Sequence, residues 1–236
     1  MEGSGFVTLT RQVGLMREMQ VVANNIANSA TAGFRREGVI FSEFIRRSGT
    51  VPSVSMAQAS ARLVDPSEGG LTRTGGPFDF AIRGEGFFLI ETGQGPRLTR
   101  SGAFTPGPDG TLRNPDGHAL LDGAGTPVVV PPGTRHVLLG VDGTLSGDGL
   151  PLGQIGLWGA EDPLSLRHEG GTLFAADGVV PVMGASFVQG ALEDSNVDPI
   201  IEVARMVEVQ RAYEMGQAFL DREDERLRGM IRTIGG

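Results

Sequence analysis

Cysteine and lysine are both missing from the 236 residues. Without cysteine there are no disulfides, no thiolate-held metals and no thiol nucleophile, and nothing in the chain fixes its redox compartment. Without lysine every one of the 20 basic residues is arginine, set against 28 acids for a net charge of −8. We attribute the missing lysine to genome composition. An acidic chain with no basic block is a poor match for a nucleic-acid backbone. No run approaches the roughly 20 apolar residues that a membrane span needs. Glu2 stands where a signal peptide carries basic charge, and Arg11 and Arg17 interrupt the apolar residues that follow. By composition alone the chain reads as cytosolic, with no membrane span and no cleaved leader.

The usual constellations of chemistry are thin as well. Gly84-Glu85-Gly86 precedes a strand pattern instead of following one, so the dinucleotide fingerprint fails and a tight turn is expected. His118, His136 and His168 are far apart, with no pair at helical spacing to hold a metal. There is no Gly-x-Ser-x-Gly elbow. Asp221 to Arg226 looks like a carboxylate cluster, but on a helix its charges fall into solvated pairs three and four residues apart. The sequence implies no catalytic residues, no metal and no cofactor.

Glycine is abundant. The chain holds 37 glycines and 14 prolines, together more than a fifth of it, which favours short strands and turns. Apolar runs such as 78–82, 87–90, 127–130, 136–139, 154–158 and 179–183 are separated by Asp-Gly pairs at 109, 116, 122, 142, 148 and 177. Asp-Gly between such runs signals hairpins, and the irregular spacing argues against calcium loops. A β-rich domain is expected over 77–190, preceded by an extended connector over 35–76.

The two ends read as helices. Over 6–28 one seam is Leu9, Val13, Met16, Ala23 and Ala27, with Gln20 at the remaining place. A second seam is Leu15, Met19, Val22 and Ile26, and the centres of the two lie about 110° apart. That arc is wide enough for packing against several helices. Asn24, Asn25 and Asn28 exceed what a helix terminus needs, so side-chain bonds to neighbouring subunits are a reasonable expectation. The C-terminal helix is expected over 199–234, capped by Asp198 with Pro199 at its first position. Its heptad seam runs Val203, Met206, Gln210, Tyr213, Gln217, Leu220, Asp224, Leu227 and Ile231, with Val207 on an apolar flank. The fold class is therefore α+β: terminal helices (1–34 and 191–236) pairing in a coiled-coil-like domain around a central β-rich domain.

Several stretches have a family likeness. Ala23-Asn24-Asn25-Ile26-Ala27-Asn28-Ser29-Ala30-Thr31-Ala32-Gly33-Phe34-Arg35 closely resembles the N-terminal signature of the flagellar rod and hook axial proteins. The resemblance continues at Gly86-Phe87-Phe88, at 98–104, at 190–197 and at Glu208-Val209-Gln210-Arg211-Ala212-Tyr213-Glu214. The short β region is more similar to the proximal-rod type than to the longer hook protein, with a distal-rod or hook-type axial protein as the alternative.

Such a subunit polymerises through paired terminal helices into an axial tube that transmits torque and conducts exported subunits, with the β domain facing outward. The resemblance adds Thr31, Gly33 and Phe34 to the expected subunit interface. It implies other rod subunits and the flagellar type III export apparatus as partners, no nucleic acid, and a place in the basal body reached without a cleaved signal peptide. That would overturn the cytosolic reading. A secreted β-rich enzyme or glycan-binding module, with Trp158 as its sugar-stacking residue, is the competing expectation from another class.

Overall fold

A computed structural model describes residues 2–48 and 51–234, with side chains defined outside 2–7, 41–62, 227, 231, 233 and 234. The chain is α+β, with a helix at each end and short strands between. It divides into two compact units. One comprises Met1–Ala27, Glu37–Leu63 and Asp198–Gly236, and the other Asn28–Arg36 and Val64–Val197.

In the first unit, α1 (Glu2–Ala27) lies along α2 (Pro199–Ile234). They run antiparallel: Gln12 meets Tyr213, Glu18 meets Arg205, and Asn25 meets Glu202. The start of α2 is fixed chemically, because the Asp198 carboxylate accepts the Ile200 and Ile201 N–H groups at 2.9 and 3.2 Å. These are two of the donors a helix start leaves without intrahelical partners. Past the last turn of α1, Thr31 N–H closes a turn onto the Asn28 carbonyl at 3.0 Å, and Gly33 takes a left-handed φ of 75°. Strands β1 (Glu37–Ser48) and β2 (Val51–Val64) pair as a two-stranded ribbon.

The second unit is built on a seven-stranded sheet. Its order is 167–170, 173–175, 95–99, 88–92, 119–120, 112–113, 105–106, antiparallel throughout. Both faces of this sheet are covered. Successive side chains on a strand point to opposite faces, and Phe88 and Ile90 enter one apolar cluster with Phe80, Phe104 and Leu120. Leu89 enters the other with Leu98, Leu121 and Phe174. A strand buried on both faces reads as a continuous apolar run and not as an alternation, which is why 87–90 is apolar at every place. The run at 127–130 makes only isolated bridges, Thr111 to Val129 and Leu121 to Pro127, so it contributes core side chains without forming a strand. The Asp-Gly pairs at 109, 116, 142 and 148 sit in hairpins between paired strands, whereas the pair at 177 joins 173–175 to 179–181, which pair with other strands. Asp109 and Asp142 each accept the N–H and hydroxyl of the threonine two residues on, at 2.8 to 3.1 Å.

Candidate functional site

The expected site was an assembly surface on the helices. The wide apolar arc of α1 splits along its two seams. Val22 is buried, and Leu15, Met19 and Ile26 are half-buried, whereas Leu9, Val13 and Met16 are 54%, 54% and 47% exposed. The outer seam therefore faces away from α2, and among the described residues nothing covers it.

The seam of α2 is turned relative to the heptad read from the sequence. Met206, Tyr213 and Leu220 are half-buried as a seam requires. The places between them, however, are taken by Glu202 and Val209, both buried, and by Gly216 and Glu223, half-buried. Val203, Gln210, Gln217 and Asp224 lie instead on the exposed side. Close approach explains the rotation. A Cβ on Gly216 would stand 2.2 Å from the Gln12 side-chain nitrogen, so the glycine is what lets Gln12 reach the Tyr213 carbonyl at 2.9 Å. Val203 and Val207, 51% and 41% exposed, form a second uncovered stripe with Ile200. The side chains of Leu227 and Ile231 lie outside the described residues.

Between the helices, Thr8, Arg11 and Leu15 of α1 and Met215 and Phe219 of α2 line an open groove of about 360 Å³. One end of the helix pair is tied by buried polar groups. Asn25, wholly inaccessible, donates to the Glu37 carbonyl at 2.9 Å and to Glu202 Oε2 at 3.1 Å, and accepts the Glu37 N–H at 2.9 Å. Its amide is used within the chain. Asn24 donates to Glu37 Oε2 at 3.5 Å. Arg205, half-exposed, donates to Glu18 at 2.8 Å, and that bond raises its already high pKa against the opposing effect of burial.

The remaining expected residues lie in the β unit. Asn28 and Thr31 are half-buried and bonded to each other, while Gly33 and Phe34 are buried. Phe34 packs on His168, ring centres 5.0 Å apart, and His168 on Phe174 at 4.6 Å. Beside them is a group that sequence reasoning missed. Arg35 and Arg100 both meet Glu193, at 2.7 and 3.1 Å, with all three side chains at 3% exposure or less. Burial pulls the Arg100 guanidinium below its ordinary value; Glu193 opposes that and Arg35 adds to it. Arg100 also donates to the Ile82 and Gly84 carbonyls and lies over the Phe87 ring. A signal was present, since Arg35, Arg100 and Glu193 each sit in one of the quoted family stretches. Trp158 is half-buried against the Phe174 cluster, and its backbone bridges to that of Phe87. Among the described residues no cluster of His, Asp or Glu could hold a metal, and no helix is long and apolar enough to cross a membrane.

Rows of exposed apolar residues on two terminal helices, Leu9, Val13 and Met16 on one and Ile200, Val203 and Val207 on the other, are the kind of surface that proteins built to associate with other chains present. The comparisons with known proteins give the class its family. Residues 188–233 match the flagellar basal body rod FlgEFG protein C-terminal family, and 81–147 match the flagellar hook protein FlgE/F/G D1 domain. The flagellar basal-body rod protein FlgF of Caulobacter vibrioides is 36% identical, with 100% of this chain and 99% of that one covered. FlgF of Mesorhizobium japonicum is 35% identical over the same shares, and FlgG of Agrobacterium fabrum 30% over 88% and 90%. The chain belongs to the flagellar basal-body rod protein family and is FlgF-like within it. It is a structural, non-enzymatic subunit of the flagellum.

Proposed function

We propose that this subunit polymerises through α1 and α2 into the axial tube of the proximal rod, by a coiled-coil-like pairing of its terminal helices extended to those of neighbouring subunits. The observation that carries the proposal is the outer seam of α1. Leu9, Val13 and Met16 are half exposed on one face of a helix that already has a partner on its other face. Aliphatic side chains in such a row gain about 25 cal/mol for each Å² removed from water. The exposed stripe of Ile200, Val203 and Val207 supplies a second such face. Two different patches on one subunit make head-to-tail contacts, and these build open helical filaments. In this reading the rod conducts exported subunits and transmits torque, and the chain reaches it through the flagellar export apparatus without a cleaved signal peptide.

The test is a pair of charge insertions, Val13→Asp and Val203→Asp, in cells that make the full chain. Both positions are solvent-accessible in the subunit, so the purified variants should melt at the temperature of the parent. Rod assembly and motility should be lost. Normal rods from both variants would overturn the reading.

A further inference from the structure

Asp177-Gly178 differs from the other Asp-Gly pairs in what holds it. Gly110, Gly117, Gly123 and Gly143 each donate their N–H to a backbone carbonyl at 2.9 to 3.0 Å, which pins the peptide unit after the aspartate. At Asp148-Gly149 the carboxylate is pinned instead, accepting the Arg135 and His136 N–H groups at 3.0 to 3.2 Å. Among the described residues, neither end of the peptide unit between Asp177 and Gly178 makes a hydrogen bond. The Asp177 side chain is 70% exposed and pairs at 2.7 Å with Arg167, itself 60% exposed.

The backbone does not require glycine at 178 either. Gly110, Gly117, Gly143 and Gly149 have left-handed φ angles of 79 to 87°, whereas Gly178 has not, and a Cβ there would meet only the Glu161 side chain. An unpinned peptide unit can turn its nitrogen onto the side-chain carbon of the aspartate before it, and a glycine leaves that approach open.

We propose that Asp177-Gly178 is a self-modification site, closing to a succinimide and opening to isoaspartate, with Arg167 as the residue that restrains it. The Gly178 nitrogen bonds to Asp177 Cγ, and its proton leaves with the carboxyl hydroxyl as water. Water then adds to the former main-chain carbonyl of Asp177 and breaks its bond to the nitrogen. The chain now runs through the side-chain carbon, one carbon longer, in the link from 173–175 of the seven-stranded sheet to 179–181, which pairs with 158–160. Arg167 opposes the first step. The hydroxyl leaves only from a protonated carboxyl, and the Arg167 hydrogen bond, then its charge, holds Asp177 below its ordinary value.

Full-length chain kept at neutral pH and then digested for peptide mapping reads every Asp-Gly pair at once. Isoaspartate should build up at 177 ahead of 109, 116, 122, 142 and 148. Arg167→Gln should speed it about threefold or more, because removing an adjacent cation enlarges the protonated fraction of a carboxyl. Gly178→Ala, whose methyl displaces only the end of the Glu161 side chain, should abolish it over the same period. In urea, where the fold pins none of the pairs, all should convert at similar rates. Isoaspartate arising first at another pair, none at 177 while the urea sample converts, 177 leading in urea as well, or Arg167→Gln no faster than the parent would each overturn the assignment.

Discussion

Arg35 and Glu193 form an ion pair of 2.7 Å with both side chains 1% exposed, and Arg100 closes on the same carboxylate from the other side at 3.1 Å. Three stretches far apart in the chain are joined there by one buried acid. Two cations share it, so the acid is the partner that matters. Glu193→Gln should destabilise the β unit by about 3–5 kcal/mol, because it leaves two guanidinium groups facing each other out of water. Asp177→Asn breaks the exposed pair with Arg167 and should leave the urea midpoint unchanged. Equal effects from the two would show that the buried cluster is solvated in solution.

Gly33 combines two constraints. Its φ is 75°, and a Cβ there would fall 2.3 Å from the Ser101 nitrogen. Gly33→Ala should therefore cost well over the 1–2 kcal/mol of a left-handed alanine alone. Gly117, at φ 86° with nothing within 4 Å of an added Cβ, isolates the conformational part. Gly117→Ala should cost about 1–2 kcal/mol. Urea unfolding of both variants gives the difference, and equal losses would place the Gly33 backbone farther from Ser101 than described.

Asn25 holds α1 to β1 and α2 at once. Asn25→Leu removes a donor and an acceptor and takes their bonds from the Glu37 backbone groups and from Glu202, a loss of about 3 kcal/mol. Amide exchange at Glu37, whose N–H is bonded to the Asn25 oxygen at 2.9 Å, should rise in the variant. Unchanged protection there would contradict the assigned network.

The hairpin aspartates make the β unit acid-sensitive. The Thr144 N–H, and then its hydroxyl, hold Asp142 below its ordinary value of 3.8; the Thr111 hydroxyl and N–H do the same for Asp109. A carboxylate whose pKa is lower folded than unfolded gives stability that is complete above the unfolded value and lost as pH falls through the folded one. The urea midpoint should be flat from neutral pH down to the carboxylate range and then fall. In Asp142→Asn, which keeps the acceptor but not the charge, the fall should be shallower. A variant as acid-sensitive as the parent would remove Asp142 from the account.

Periodicity and punctuation made the helices legible. Asp198-Pro199 marked the first turn of α2, and the wide apolar arc of α1 corresponds to one half-covered and one uncovered seam. The rotation of α2 was not legible, because its inner places include Glu202, Gly216 and Glu223, which no hydrophobic template selects. Gly216 in mid-helix was the available clue, since such a glycine is costly unless something approaches closely. The Arg35, Glu193 and Arg100 cluster escaped for a related reason: single charged residues in unrelated stretches carry no period, and only the tertiary fold brings them together.

The central claim is that assembly buries the outer seam of α1. Met16 lies in that seam, 47% exposed in the subunit, and methionine oxidation by peroxide follows solvent access. Mass spectrometry should find Met16 readily oxidised in the purified subunit and protected in isolated basal bodies. Equal oxidation of Met16 in both would contradict the claim.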